Sequence, residues 1–227
     1  MIRKGDEYIL SNGCKLYRAD KKTVEAYWKW ICDLSKNDNP FLNNNGHKDE
    51  VQPNRGDKMF FLSPADSGKS DRNCKVPLGY KILIPSLCVV ATGATKEGGE
   101  KPNAKLEDLI RLNNVDQRCV DFRSVEIDKE QIPEEFLKEC RYSSREEEFP
   151  VHFPKDDPIF NATSGDCKAV ADGVYLILEC PSESDKSELK IHFKGTIDLK
   201  LKSEGEESLE TTNYTEDVTY TLARKAD

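Results

Sequence analysis

A long apolar run is the first thing this 227-residue chain lacks. Its longest, Val76 to Gly93, is interrupted by Lys81 and two prolines, whereas a membrane-crossing helix needs about 20 predominantly apolar residues. No membrane span is expected. A cationic surplus is lacking too: 34 Lys and Arg face 42 Asp and Glu, for a net charge of −8 and a pI near 5.1. The basic residues lie scattered among the acids, so no stripe exists to neutralise a phosphate backbone, and nucleic acid is not an expected partner. Histidine is scarce at three residues, and neither His-x-x-x-His nor Cys-x-x-Cys occurs. Zinc-type ligand spacing is therefore absent, and no cofactor is implied. The acids Asp156, Asp157, Asp166 and Asp172 lack the alternate-residue spacing of a calcium loop. Gly68-Lys-Ser70 lacks the first glycine of a phosphate loop, since Ser63 and Pro64 stand in its place.

The opening residues, Met-Ile-Arg-Lys-Gly-Asp-Glu, carry no hydrophobic core of the kind a secretory signal requires. That leaves a secreted or envelope protein whose leader has been removed, or a cytoplasmic one if the thiols are reduced. The eight cysteines (Cys14, Cys32, Cys74, Cys88, Cys119, Cys140, Cys167, Cys180) favour the first. They form an even set without close pairing, which suits a framework of at least two disulfides in an oxidising compartment.

What is present is a strand pattern. From Leu189 to Leu201 every odd position is apolar or Gly, and the even positions are Lys, His, Lys, Thr, Asp and Lys. This is the two-residue period of a strand with one buried face. Val174-Tyr-Leu-Ile-Leu178 and Asp217-Val-Thr-Tyr-Thr-Leu-Ala223 read as strands beside it, with Asp172-Gly173 as a turn before them and charged hairpin loops at 182–188 and 203–213. Gly195 in mid-strand marks a bulge or bend. Lys58 to Leu62 and Ile82-Leu-Ile84 read as buried strands, joined by a loop through Asp66, Gly68 and Asp71. Phe149 to Pro154 is extended, because each proline forces its predecessor out of the helical region.

One amphipathic helix spans about 21–34, capped by Asp20, with Val24, Tyr27, Trp28 and Ile31 recurring at three and four. Short helices are expected over 106–112 and 131–140, the latter with Pro133 in its first turn. The expected architecture is all-β: a single domain over 1–227, an antiparallel β-sandwich of jelly-roll or immunoglobulin-like type, with an N-terminal helix and short helical insertions. Its inward set is Ile191, Phe193, Ile197 and Leu199.

The order of segments also resembles a large family of uncharacterised, mostly bacterial secreted proteins. The matching segments are Tyr27-Trp-Lys-Trp30, Asn39-Pro40, Gln52 to Leu62, Arg72-Asn-Cys-Lys-Val-Pro-Leu-Gly79 and Ile82 to Pro85. Further on come Phe153-Pro-Lys-Asp156, Ala171-Asp-Gly173, Ile191-His-Phe-Lys-Gly195 and Val218-Thr-Tyr220. The likeness covers about residues 24 to 223. It implies export and a sandwich-like fold, and no established activity. Where that family carries a Cys shortly before the Gln, this chain has Lys48-Asp-Glu-Val51.

Three residues are candidates for binding. Trp28 and Trp30, if exposed, could stack on sugar faces or anchor a partner; packed inward, they and Tyr27 pin the helix to the sheet. His192, on the polar face of the strongest strand, could shuttle protons or ligate. His47 and His152 read as lone histidines. The favoured function is a non-catalytic extracellular or envelope protein that binds a ligand or partner. Its rivals are a hydrolase-like enzyme in which His192 meets an acid from the Asp156 to Asp172 region in a pocket, and a structural surface protein.

Overall fold

A computed structural model describes residues 2–4, 6–42, 51–53, 56–65, 68–94, 120–144, 147–181, 188–201 and 210–225; the side chains of 2, 4, 120–122, 197–201, 210–214 and 225 are outside the description. Two mixed sheets organise it. The first runs β1 (Ile2–Lys4), β2 (Glu7–Ile9), β3 (Lys15–Arg18), β11 (Gly165–Glu179), β6 (Lys81–Thr92) and β4 (Met59–Phe61), with β9 (Arg141–Ser143) and β10 (Phe149–Phe153) also paired to β11. The second runs β5 (Gly68–Pro77), β13 (Glu210–Lys225), β12 (Glu188–Leu201), β7 (Val120–Ile127) and β8 (Glu130–Gln131). The helices are α1 (Lys21–Asp33) and α2 (Glu134–Glu139). Among the described residues, no helix is long and apolar enough to cross a membrane.

Two kinds of apolar pattern account for the layering. In the second sheet Leu189, Ile191, Phe193, Val125, Ile127, Val218, Tyr220 and Leu222 are buried in one cluster, and their sequence neighbours turn outward. The central strands of the first sheet instead read as unbroken apolar runs because both of their faces are covered. Leu176, Leu178, Ile82, Ile84 and Phe60 join the cluster shared with the second sheet. Tyr175, Ile177, Leu83 and Phe61 turn the other way, into a second cluster with Val24, Tyr27, Trp28 and Ile31 of α1. The chain is therefore built as helix, sheet, sheet.

The antiparallel expectation needs correction. β13 pairs β5 in parallel, and β4 pairs β6 in parallel. In the first case more than a hundred residues separate the paired strands, ample for the crossover that a parallel pair requires. Two loops were also misplaced. Gly68 and Asp71 lie within β5, whose Ser70, Arg72, Cys74 and Val76 are buried in alternation. Asp172-Gly173 lies inside β11, where the register with β6 passes from Asp172↔Val89 to Val174↔Ser86. Leu87 and Cys88 thus oppose the single residue Gly173, which makes a β-bulge. A Cβ at Gly173 would sit 2.6 Å from Cys88 Cα, so only glycine fits. A further irregularity, between Thr196 and Ile197 against β7, follows directly after Gly195. The proposed helix at 106–112 and most of both charged loops lie outside the described residues, and Pro133 caps α2 rather than entering its first turn.

Small polar side chains close the joints. Asp20 accepts from Thr23 N at 2.8 Å and starts α1, a cap worth about 1 kcal/mol. Asn39 ends it, donating to Ile31 O at 2.6 Å while accepting from Phe41 N at 3.0 Å. The Gln52 amide accepts from Phe61 N at 2.7 Å and donates to Phe61 O at 2.9 Å, so a side chain pairs with the edge strand β4 as a peptide would. Arg72 donates to Ser70 Oγ, Ser63 O, Pro64 O and Tyr220 OH. Tyr220 in turn donates to Ser63 O at 2.6 Å, which ties the second sheet to the segment leaving β4.

Among the described residues, one disulfide is formed, Cys14–Cys180, between the turn before β3 and the end of β11. Cys32, Cys88, Cys140 and Cys167 are thiols buried in the apolar clusters, Cys74 is also buried, and Cys119 lies outside the described residues. Of the expected framework this one bridge is seen among the described residues, and Cys32, Cys88, Cys140 and Cys167 serve there as small core residues.

Two stability outcomes follow. Gly173→Ala should lower the urea midpoint by an amount equal to about 1–3 kcal/mol, the cost of forcing a methyl into a closed contact. Replacing Cys14 and Cys180 together by Ser should cost about 2–5 kcal/mol, since the bridge spans 166 residues. An unchanged midpoint in either variant would contradict the assigned geometry.

Candidate functional site

On the solvent side of α1, Lys22, Ala26, Lys29 and Asp33 follow one another at four, three and four residues, which places them on one stripe. At 1.5 Å per residue the stripe is about 16 Å long, with a cation at its start and an acid at its end. β10 runs beside it in the same direction. The chain enters β10 where Lys21 pairs with Glu147, and after β10 it reaches Lys36, whose N–H donates to Asp157 O at 2.8 Å. Between the two lies an open groove of about 760 Å³.

Its apolar wall comes from Trp30, Val51, Pro53, Pro150 and Val151. Val51 is 45% exposed, one of two large apolar side chains left exposed among the described residues. Its acidic part is completed by Asp166, which holds His152 Nδ1 at 2.7 Å. The pair is open to water, with His152 51% and Asp166 91% exposed.

The predicted site residues fall elsewhere or are closed off. Trp28 is buried and donates through Nε1 to Tyr175 OH at 2.7 Å, so its ring offers no stacking face. Trp30 is also buried, with Nε1 donating to Val51 O at 2.9 Å, and reaches the groove only as part of its lining. Both rings pin the helix, Trp28 through an edge contact with Tyr27 and Trp30 through tilted contacts with Tyr27 and Phe61. His192 pairs with Asp217 on the outer face of the second sheet, at 2.8 Å, with Lys194 at 3.8 Å from the same carboxylate. His192, followed by its lysine neighbour, holds the Asp217 carboxyl below its ordinary value.

The pocket histidine is His152 instead, because the β10–β11 register sets it opposite Asp166. The signal was available: in Phe149-Pro-Val-His-Phe153 the alternation turns His152 outward with Pro150. A cysteine nucleophile finds no support, since burial pushes the Cys32, Cys88, Cys140 and Cys167 thiols up and leaves them protonated.

A second polar cluster, inside the protein, went unnoticed in the sequence. Glu216 is completely buried, and its Oε2 accepts from Leu87 N at 2.8 Å, across the two sheets. Leu87 sits in the left-handed region at φ 45°, a conformation that costs a branched residue about 1–3 kcal/mol. Burial pushes the Glu216 carboxyl up to about 8, against the pull of the Leu87 N–H, Arg72 and Arg123. Nearby, Arg141 grips Asp172 through bonds of 2.7 and 2.5 Å. Glu216 Oε1, Ser86 Oγ, Arg123 Nε and Tyr27 OH are buried without a hydrogen-bond partner. The missed clue is that Glu216 begins the inward column continued by Val218, Tyr220 and Leu222, where an acid is out of place.

Among the described residues, no three His, Cys, Asp or Glu side chains converge on a metal position. Comparison with protein-family models, with curated proteins and with solved structures finds no match to this chain.

The buried acid makes stability pH-dependent. Its folded pKa of about 8 exceeds the ordinary 4.5, so the folded state holds the proton that the unfolded state releases. Stability should fall as pH rises through that window and level off above it. Glu216→Gln, which does not titrate there, should gain on the wild type by up to about 4 kcal/mol between pH 5 and pH 9. Urea unfolding at the two pH values measures the difference, and parallel curves for the two proteins would refute the assignment.

Proposed function

We propose that the protein is a non-catalytic binding module of the extracellular or envelope space, a β-sandwich with a helical outer layer that receives an extended partner segment in the groove along α1. The observation that carries this reading is the groove itself: about 760 Å³, open, with apolar walls from Trp30, Val51, Pro53, Pro150 and Val151. Clefts of this size with apolar walls and a few polar groups are the usual form of a binding site. At about 3.3 Å per residue, a 16 Å trough accommodates roughly five residues of extended chain. Lys22 at one end and Asp33 with Asp166 at the other suit a segment that is acidic at one end and basic at its opposite end. The Cys14–Cys180 bridge fits an oxidising compartment.

A hydrolase is the second reading, favoured by the His152–Asp166 contact in the same groove. Two features weigh against it. Asp166 is almost fully exposed, unlike the buried acid that orients a catalytic histidine. Among the described residues, no Ser, Thr or Cys lines the groove to be activated.

Titration with pentapeptides of a Pro- and Val-rich core, carrying Glu at one end and Lys at the other, tests the reading by NMR. The two indole N–H signals serve as probe and reference, Trp30 lining the groove and Trp28 sealed behind it. Binding should move the Trp30 signal and leave Trp28 in place, and Lys22→Glu should weaken it roughly fivefold to tenfold, as loss of a charge contact worth about 1 kcal/mol predicts. Shifts confined to another face, or cleavage of the peptides, would exclude it.

A further inference from the structure

Glu216, Gly195 and Arg123 stand side by side across β13, β12 and β7, with Gly68 of β5 on the other flank of Glu216. All four share the inward alternation of Val218, Phe193, Val125 and Ser70, which are buried. Two of these four positions carry no side chain. Strands are spaced by about 4.8 Å, so Glu216 and Arg123 rise about 10 Å apart with only glycine between them. A Cβ built on Gly68 meets no atom within 4 Å among the described residues. Facing this floor, β6 presents Leu87 N–H, already bonded to Glu216, and Ser86, which continues the inward column of Ile82 and Ile84.

The polar atoms around the gap are unspent. Glu216 Oε1, Arg123 Nε and Ser86 Oγ are buried and unpartnered. Arg123 makes no hydrogen bond or ion pair among the described residues. The other carboxylates acting on it are engaged, Asp172 by Arg141 and Glu134 by Lys138. Burial, then the neighbouring Arg141, lowers the guanidinium's pKa, the mark of a charge that lacks a counter-ion. Arg123 is half-buried, with its Nε the atom sealed from water, and a guanidinium held there gains from a paired counter-ion.

We propose that this glycine-floored gap binds one planar monovalent oxyanion, of formate or acetate size, held by Arg123 and Ser86 with the Glu216 carboxyl bonded to the same guest. A carboxylate matches the edge of a guanidinium in a way that a sphere or a lone water does not. Glu216 keeps its proton near neutrality because burial has raised its pKa to about 8. The titratable and charged groups that act on it electrostatically are Arg72 from β5, Arg123 from β7, the Cys88 thiol from β6 and the Tyr27 phenol from α1. Burial keeps the thiol and the phenol neutral, so neither supplies a competing negative charge. Above the pKa of Glu216, each anion that binds must bring in one proton.

The test titrates the full chain with sodium formate, acetate and nitrate at ionic strength fixed with sodium sulfate, reading Tm and binding heat. At pH 6.5 these anions should raise Tm saturably. Affinity should fall about tenfold per pH unit above 8, and at pH 9 buffers of unequal ionisation heat should report about one proton taken up per anion. R123Q should abolish the response, whereas E216Q should keep the binding and lose its pH dependence. If R123Q does not fold, G195A, which fills the floor, and proton uptake by the wild type decide instead. The proposal fails if the planar anions act no differently from sulfate, if G195A binds as the wild type does, or if binding at pH 9 takes up no proton. A gap holding only water would give the first of these results.

Discussion

The contact between Glu216 and the Leu87 N–H is the constraint around which the two sheets are arranged. It spans the layers at the one place where β6 has an extra residue, and it needs three unusual choices at once. Gly173 must lack a Cβ so that Cys88 can approach, Leu87 must accept a left-handed backbone, and an acid must stand in an apolar column. Each is unfavourable alone. Together they turn a freed backbone donor and a buried carboxyl into partners, which is how strain persists when its surroundings over-determine it. The neighbouring joint of Arg72, Tyr220 and Ser63 secures the same pair of layers a few residues along β13.

Much of the β architecture was legible because burial on one face and burial on two leave different traces. The alternation from Leu189 onward announced a strand with one wet side, and Leu189, Ile191 and Phe193 are indeed buried; Ile197 and Leu199 lie where side chains are not described. The run Val174 to Leu178 announced a strand with none. Joining those two readings already implies a third layer on the first sheet, and the apolar face of α1 was the available cover. Parallel pairing was not legible, since it depends on which distant strand arrives at an edge and leaves no local mark. The bulge was hidden for a related reason: Asp-Gly is the usual signature of a tight turn, and only the width of the opposite strand shows that the glycine serves close approach instead.

Several polar residues singled out in the sequence take on a consistent physical meaning. Asn39 ends the helix, Gln52 seals an edge, Arg72 and Tyr220 link layers, and Asp172-Gly173 forms the bulge with its ion pair. These are joints rather than surfaces. The groove along α1 is lined mostly by residues outside the resembling segments, with Lys29, Trp30, Gln52 and Pro53 shared between the two. Trp30 packs against Tyr27 and Phe61 and also lines the trough.

The Cys14–Cys180 bridge ties the strand that follows the first ribbon to the end of the longest strand of the same sheet, and every connection between the two sheets lies within the span it encloses except the one from β11 to β12. A protease that severs any exposed loop inside that span would leave two fragments still covalently joined and still registered along β3 and β11. Nicking therefore need not mean dissociation for this molecule, a tolerance suited to surroundings in which cut peptide bonds are never resealed.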